Sequence, residues 1–162
     1  MYNNESLRII AEKFPNIDWS FVEKNSIIPV GEICEKLGLN VEFADLRPGL
    51  AGYLDRSSKT IYVNRSYSST HNLFTVAHEI GHYILHNGLN NRYDQYHNYT
   101  DEELTMEWEA NDFAGKLLMS RTTFINFFKQ LGGDLKKIAY EFGVSQRAAE
   151  VRAYNLGLID NI

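Results

Sequence analysis

The stretch Asn72-Leu73-Phe74-Thr75-Val76-Ala77-His78-Glu79-Ile80-Gly81-His82-Tyr83-Ile84-Leu85-His86 reads as one strongly apolar helix with ionisable groups set into it. His78 and His82 are four residues apart, so on a helix they stack on one face within reach of a single ion. Glu79 is rotated by about 100° from His78, where it can flank an activated water rather than ligate. Phe74, Val76, Ala77, Ile80, Ile84 and Leu85 place apolar residues on both sides, which predicts a helix buried almost all round. Three polar, ionisable side chains in such a place need a shared partner to offset their desolvation. A metal ion serves best, and zinc suits paired imidazoles with one position left open for water. His86 extends the series by another turn. On a continuous helix it would lie about 12 Å along the axis from His78, too far to complete the same coordination shell, so it is expected to cap the helix or orient a ligand.

On either side of this helix the pattern changes. Leu7, Ile10, Ala11 and Phe14 recur at helical spacing before Pro15, with a second short piece around Asp18 to Lys24. Val30 to Leu37 is amphipathic and closed by Gly38. Asn40 to Leu46 alternates as a strand does, and residues 51–55 and 59–64 make two more strands joined by Arg56-Ser57-Ser58. Residues 87–99 are polar and dense in Asn and Tyr, without periodicity, and read as a loop. Thr100-Asp101-Glu102-Glu103 is a capping box opening a helix to about Met119, and three shorter helices follow. Helices, a small antiparallel sheet, then helices only is an α+β order without repeated βαβ units.

Composition narrows the function. The 162 residues carry 16 Lys+Arg against 21 Asp+Glu, a net charge of −5, which disfavours nucleic acid as the principal partner. A single cysteine, Cys34, excludes an internal disulfide framework or a Cys-rich zinc module. No apolar run approaches the roughly 18–20 residues of a membrane span, and the first residues lack a basic stretch or apolar h-region. A cytoplasmic protein without membrane attachment is expected.

A third ligand is sought on the later helix. With Glu107 at zero on a helical wheel, Leu104, Asn111, Ala114 and Leu118 fall within about 60° of it. Glu109 falls opposite, with Glu102, Asp112 and Lys116. Glu107 is therefore the expected third ligand, Asn111 the residue that orients a ligand by a hydrogen bond, and Glu109 a solvated residue. The donor that stabilises an oxyanion is sought among Tyr93, Tyr96, His97 and Tyr99 of the loop.

His78-Glu79-Ile80-Gly81-His82-Tyr83-Ile84-Leu85-His86, followed by Glu107-Trp108-Glu109-Ala110-Asn111-Asp112-Phe113-Ala114 and Leu117-Leu118-Met119, resembles the ImmA/IrrE family of zinc metallopeptidases. The lead-in Phe74-Thr75-Val76-Ala77 and the strand Ile61-Tyr62-Val63-Asn64 share in the likeness. The resemblance implies a zincin-like, gluzincin-related domain, here expected over residues 1–120 with its N-terminal helices. It also implies Zn²⁺ held by His78, His82 and Glu107, with Glu79 as catalytic base. The substrate class it implies is a protein, a helix-turn-helix (Xre-type) repressor whose cleavage switches on mobile-element, phage or stress genes. One departure is Ser120, where a proline often follows Leu-Leu-Met.

Residues 121–162 are expected to form a helical, helix-turn-helix-like subdomain. Ala139, Gly143 and Ala149 have the spacing of a DNA-reading helix pair, but Arg152 stands where an apolar residue is normal. Residues 129–162 hold five Lys+Arg against four Asp+Glu, so DNA binding there is possible but not favoured. The rival function is a non-catalytic, zinc-containing regulator that binds DNA or a repressor through this region. An extended substrate is expected to pair with an exposed strand of the small sheet, residues 59–64.

Overall fold

The structure is a computed structural model, and it describes residues 2–24, 26–87 and 99–162. In chain order the elements are α1 (Glu5–Lys13), a 3₁₀ turn (Ser20–Lys24), α2 (Val30–Leu37), β1 (Asn40–Ala44), β2 (Gly52–Asp55), β3 (Thr60–Asn64), α3 (Ser69–Leu85), α4 (Asp101–Leu118), α5 (Arg121–Gln130), α6 (Leu135–Phe142) and α7 (Gln146–Asn155). The fold is α+β, as the order of sequence patterns implies.

Local chemistry sets most of the boundaries. Asn4 caps α1 by accepting from the Leu7 amide at 3.0 Å. Ser68 caps α3 three residues earlier than the apolar periodicity suggests, because polar Ser69 to His71 complete its first turn. Thr100 and Glu103 form the expected capping box at the start of α4. Gly38 and Gly143 end α2 and α6 in the left-handed conformation, at φ 73° and 70°.

The sheet differs from the antiparallel one expected. Its order is β1-β3-β2, with β1 parallel to β3 and β2 antiparallel to β3. The hairpin over Arg56-Ser57-Ser58 forms, but β1 joins the far side of β3 through a loop that contains Pro48-Gly49. Alternation marks a residue as extended and says nothing about which neighbour it pairs with. The central place of β3 explains its burial, since Thr60, Ile61, Val63 and Asn64 are all buried while β1 is mostly exposed. It also overturns the expected role of residues 59–64, because both edges of β3 are occupied and no peptide can pair there.

Below the sheet, one buried apolar cluster runs from Leu7, Trp19 and Ile33 through Ile61, Ile80 and Leu117 to Phe124, Phe142 and Ala149. Cys34 lies within it, and burial pushes its thiol up to about 11. Polar ties join the ends. Asn4 Nδ2 donates to the carbonyls of Lys116 and Leu117 at 3.0 and 3.1 Å, and to Ser120 Oγ at 2.7 Å. The Ser6 hydroxyl donates to the Phe113 carbonyl at 2.8 Å. Arg152 is buried and donates from Nε to the Met119 carbonyl at 2.9 Å. The residue that breaks the helix-turn-helix pattern thus anchors α7 to the end of α4.

Close approach of β2 to α3 requires a glycine. A Cβ at Gly52 would strike the Tyr62 carbonyl oxygen and come within 2.7 Å of Thr75 Cγ2, whereas one at Gly31 on α2 would meet nothing within 4 Å. Gly52→Ala should therefore destabilise the fold by about 1–3 kcal/mol. Gly31→Ala should stabilise it by up to about 1 kcal/mol, since alanine is the better helix former. Denaturant unfolding of the two variants beside the parent checks both signs.

Candidate metal centre

The site lies where α3 faces α4. Gly81 permits this, because a Cβ there would fall 3.1 Å from a Phe113 ring carbon and 3.2 Å from the Ala110 carbonyl oxygen. With the two backbones this close, His78 Nε2 lies 3.0 Å from Glu107 Oε2, and His82 Nε2 lies 2.8 Å from Glu107 Oε1. Both imidazoles and the carboxylate are mostly shielded, at 12%, 18% and 20% side-chain exposure. Two acceptor lone pairs cannot face one another at such distances unless a cation or a proton lies between them. His78, Glu79 and His82 also offer ligand atoms that lie within 4.8 Å of one another. This donor set of two imidazole nitrogens and carboxylate oxygens fits a divalent first-row metal.

The electrostatics agree. Burial works against ionisation of Glu107, yet hydrogen bonds from His78 and His82 and their charges bring its carboxyl down to about 2. Burial likewise opposes a charged His78, but the Glu107 hydrogen bond and the charges of Glu79 and Glu107 outweigh it and raise its pKa. The site is built to hold positive charge. Glu79 differs: it is only 7% exposed, and burial raises its pKa above the usual carboxylate range despite the neighbouring histidines.

The outer nitrogens of both histidines are engaged. His78 Nδ1 donates to Asn111 Oδ1 at 2.8 Å, which leaves Nε2 to face Glu107. His82 Nδ1 lies 2.9 Å from His86 Nδ1. His86 is the C-cap of α3, its amide still bonds the His82 carbonyl at 3.0 Å, and its ring lies against His82 at 5.1 Å between centroids, one turn on. Its own Nε2 lies 3.3 Å from Glu109 Oε1. Burial lowers the His86 pKa, outweighing the hydrogen bond to Glu109.

The structure thus brings together His78, Glu79, His82, His86, Glu107 and Asn111. Of the loop residues, Tyr93, Tyr96 and His97 lie outside the described residues, and Tyr99 is half-buried just before the α4 cap. Two site residues escape the sequence reading. Glu109 is 46% exposed, as the wheel implies, but its carboxylate bends back to His86. Arg56, in the turn between β2 and β3, donates from Nη2 to the carbonyls of His82, at 2.7 Å, and of His86. Its guanidinium lies 5.7 Å from the Tyr83 ring centroid. The available signal was the orphaned carbonyls that any helix C-terminus presents, which call for a cation from elsewhere in the chain.

Residues 34–154 match the model of the peptidase M78 family, described as the IrrE N-terminal-like domain. The chain belongs to this family. Among solved structures, it is similar to a Mycobacterium tuberculosis transcriptional regulator, with a TM-score of 0.56 and 18% identity. That alignment covers 74% of this chain but only 38% of the regulator, so the likeness concerns the fold of one part of a longer protein. No curated protein matches the chain. A metal is therefore implied by family and by donor chemistry alike.

Glu107→Ala should abolish retention of metal after dialysis, whereas Glu79→Gln should retain it at the parent stoichiometry. Metal analysis of the two purified variants reads both outcomes.

Proposed function

We propose that this chain is a zinc-dependent endopeptidase that hydrolyses a peptide bond in a protein substrate. The observation that carries this reading is the buried Glu79 carboxylate beside two imidazoles whose Nε2 atoms converge on Glu107. His78, His82 and Glu107 would hold the zinc, leaving one position of a tetrahedron open. Zinc held there supplies a Lewis acid, which polarises the scissile carbonyl and acidifies water. Glu79 accepts a proton as water attacks the carbonyl carbon and returns one to the leaving amine as the C–N bond breaks. Burial raises its pKa, which makes it a stronger base toward that water. Asn111 holds the His78 ring in the orientation the reaction needs.

The extended substrate pairs with β2 rather than β3, because β2 is the edge strand packed against α3 through Gly52 and Thr75. The substrate class we favour is a helix-turn-helix (Xre-type) repressor whose cleavage derepresses mobile-element, phage or stress genes. The resemblance of the motifs to the ImmA/IrrE metallopeptidases supports this choice. A cytoplasmic setting follows from such a substrate, and no helix among the described residues is long and apolar enough to cross a membrane.

A second reading keeps one observation in its favour. Lys136, Lys137, Gln146 and Arg147 are exposed on α6 and α7, the helix pair spaced like a DNA-reading motif. In that reading the chain is a non-catalytic regulator that binds DNA or a repressor. Against it stand the net acidity of the chain and the half-buried Glu150 on α7 beside Gln146 and Arg147.

Incubation with a purified Xre-type repressor and its operator DNA separates the two. Zinc-loaded protein should cleave it, a chelator should stop cleavage, and Glu79→Gln should slow it by at least about 100-fold. Cleavage undiminished in Glu79→Gln would remove Glu79 from the mechanism. A gel shift of operator DNA without any proteolysis would favour the regulator.

A further inference from the structure

With His82 Nε2 kept bare for an ion and His86 neutral, the hydrogen bonds beyond His82 admit one consistent placement of protons. Between His82 Nδ1 and His86 Nδ1, 2.9 Å apart, one nitrogen must donate and the other accept. The far nitrogen of His86 faces the carboxylate of Glu109, which can only accept when ionised. A neutral His86 therefore carries its proton on Nε2, donates it to Glu109, and presents a bare Nδ1 to His82. His82 must then be protonated on Nδ1, which keeps the Nε2 lone pair free on the side of Glu107. The opposite order would put the His86 proton on Nδ1, set its Nε2 lone pair against the Glu109 carboxylate, and place the His82 proton where a metal has to bind.

We propose that Glu109 and His86 form a proton-ordering relay that holds His82 in its metal-binding tautomer and so sets the affinity of the site for zinc. Glu109 is a positioning residue: it acts through His86 and touches neither the ligand atoms nor a substrate. The two histidine ligands are served differently, since His78 rests on the neutral carboxamide of Asn111 while His82 is backed by an anion through a second imidazole. His86 sits one turn beyond His82 at the end of α3, and Arg56 holds that end by donating to the carbonyls of both residues. All three α4 groups that orient or bind, Glu107, Glu109 and Asn111, lie within five consecutive positions of one helix.

This inference rests on the reading of His78, His82 and Glu107 as zinc ligands, and its test distinguishes the two. Zinc affinity is measured by competition with a chromophoric chelator for the full chain and its variants. Glu109→Ala should weaken zinc binding by about 10- to 100-fold, as loss of a partner to a ligating histidine does elsewhere. Glu109→Gln should weaken it less, because a carboxamide oxygen still accepts from His86 Nε2. Glu102→Ala, an exposed change in the first turn of α4, should leave the affinity unchanged. The double variant His86→Phe/Glu109→Ala should bind no more weakly than His86→Phe alone, since both changes break one chain of bonds. A purely structural role for Glu109 would instead give multiplying losses, and that result would overturn the relay. So would a Glu109→Ala affinity within twofold of the parent while Glu107→Ala has lost zinc. Failure of the parent itself to bind zinc would bring down the ligand assignment and the relay together.

Discussion

Everything at the centre depends on how near α3 and α4 can come. Gly81 has no side chain of its own to hold α3 away from the Ala110 backbone and the Phe113 ring of α4. That separation carries Glu107 to within hydrogen-bond distance of both His78 and His82. A Cβ at Gly81 would require the Phe113 ring or the Ala110 backbone to give by a few tenths of an ångström, comparable with the variation of about 0.2 Å that a metal–ligand distance tolerates. The two histidines belong to α3 alone, but the glycine between them decides how near Glu107 can come.

The helix ends supply the second constraint. Each helix of the pair finishes with carbonyls that need donors, and each receives them from a distant part of the chain. Arg56 serves α3 from the β2–β3 turn, while Asn4 and Arg152 serve the end of α4 from opposite ends of the sequence. These bonds fix the axial position of each helix against the core, which apolar contacts alone constrain weakly. Burial lowers the pKa of both guanidiniums, outweighing Tyr83 and Glu79 beside Arg56 and the Glu5 and Asp112 carboxylates beside Arg152.

Much of this was legible in the sequence, for physical reasons that differ by element. The periodicity of α3 and the capping box of α4 are local properties, so the pattern reports them directly. The wheel could set Glu107 and Asn111 apart from Glu109 because those two share the side of α4 that turns toward the histidines. It could not show that Glu109 reaches His86, since a wheel places a Cα and not the end of a long carboxylate side chain. Sheet pairing was misread for a related reason: β1 meets β3 across more than a dozen intervening residues, and nothing in either strand names the other. Arg152 shows the converse, where departure from an expected pattern marks a tie to Met119 that no local signal describes.

The five-residue span Glu107-Trp108-Glu109-Ala110-Asn111 has a thermodynamic corollary. Because Glu107 faces His78 and His82 only when α4 lies against α3, an ion held by all three would bind the assembled helix pair and not the unfolded chain. Docking of α4 and occupancy of the site then become linked equilibria. At a free ion concentration of 100 times the dissociation constant, that linkage adds about 2.7 kcal/mol to the folded state. An ion held by both helices would in this sense be a structural clamp across them, and its supply would set how firmly the domain is closed.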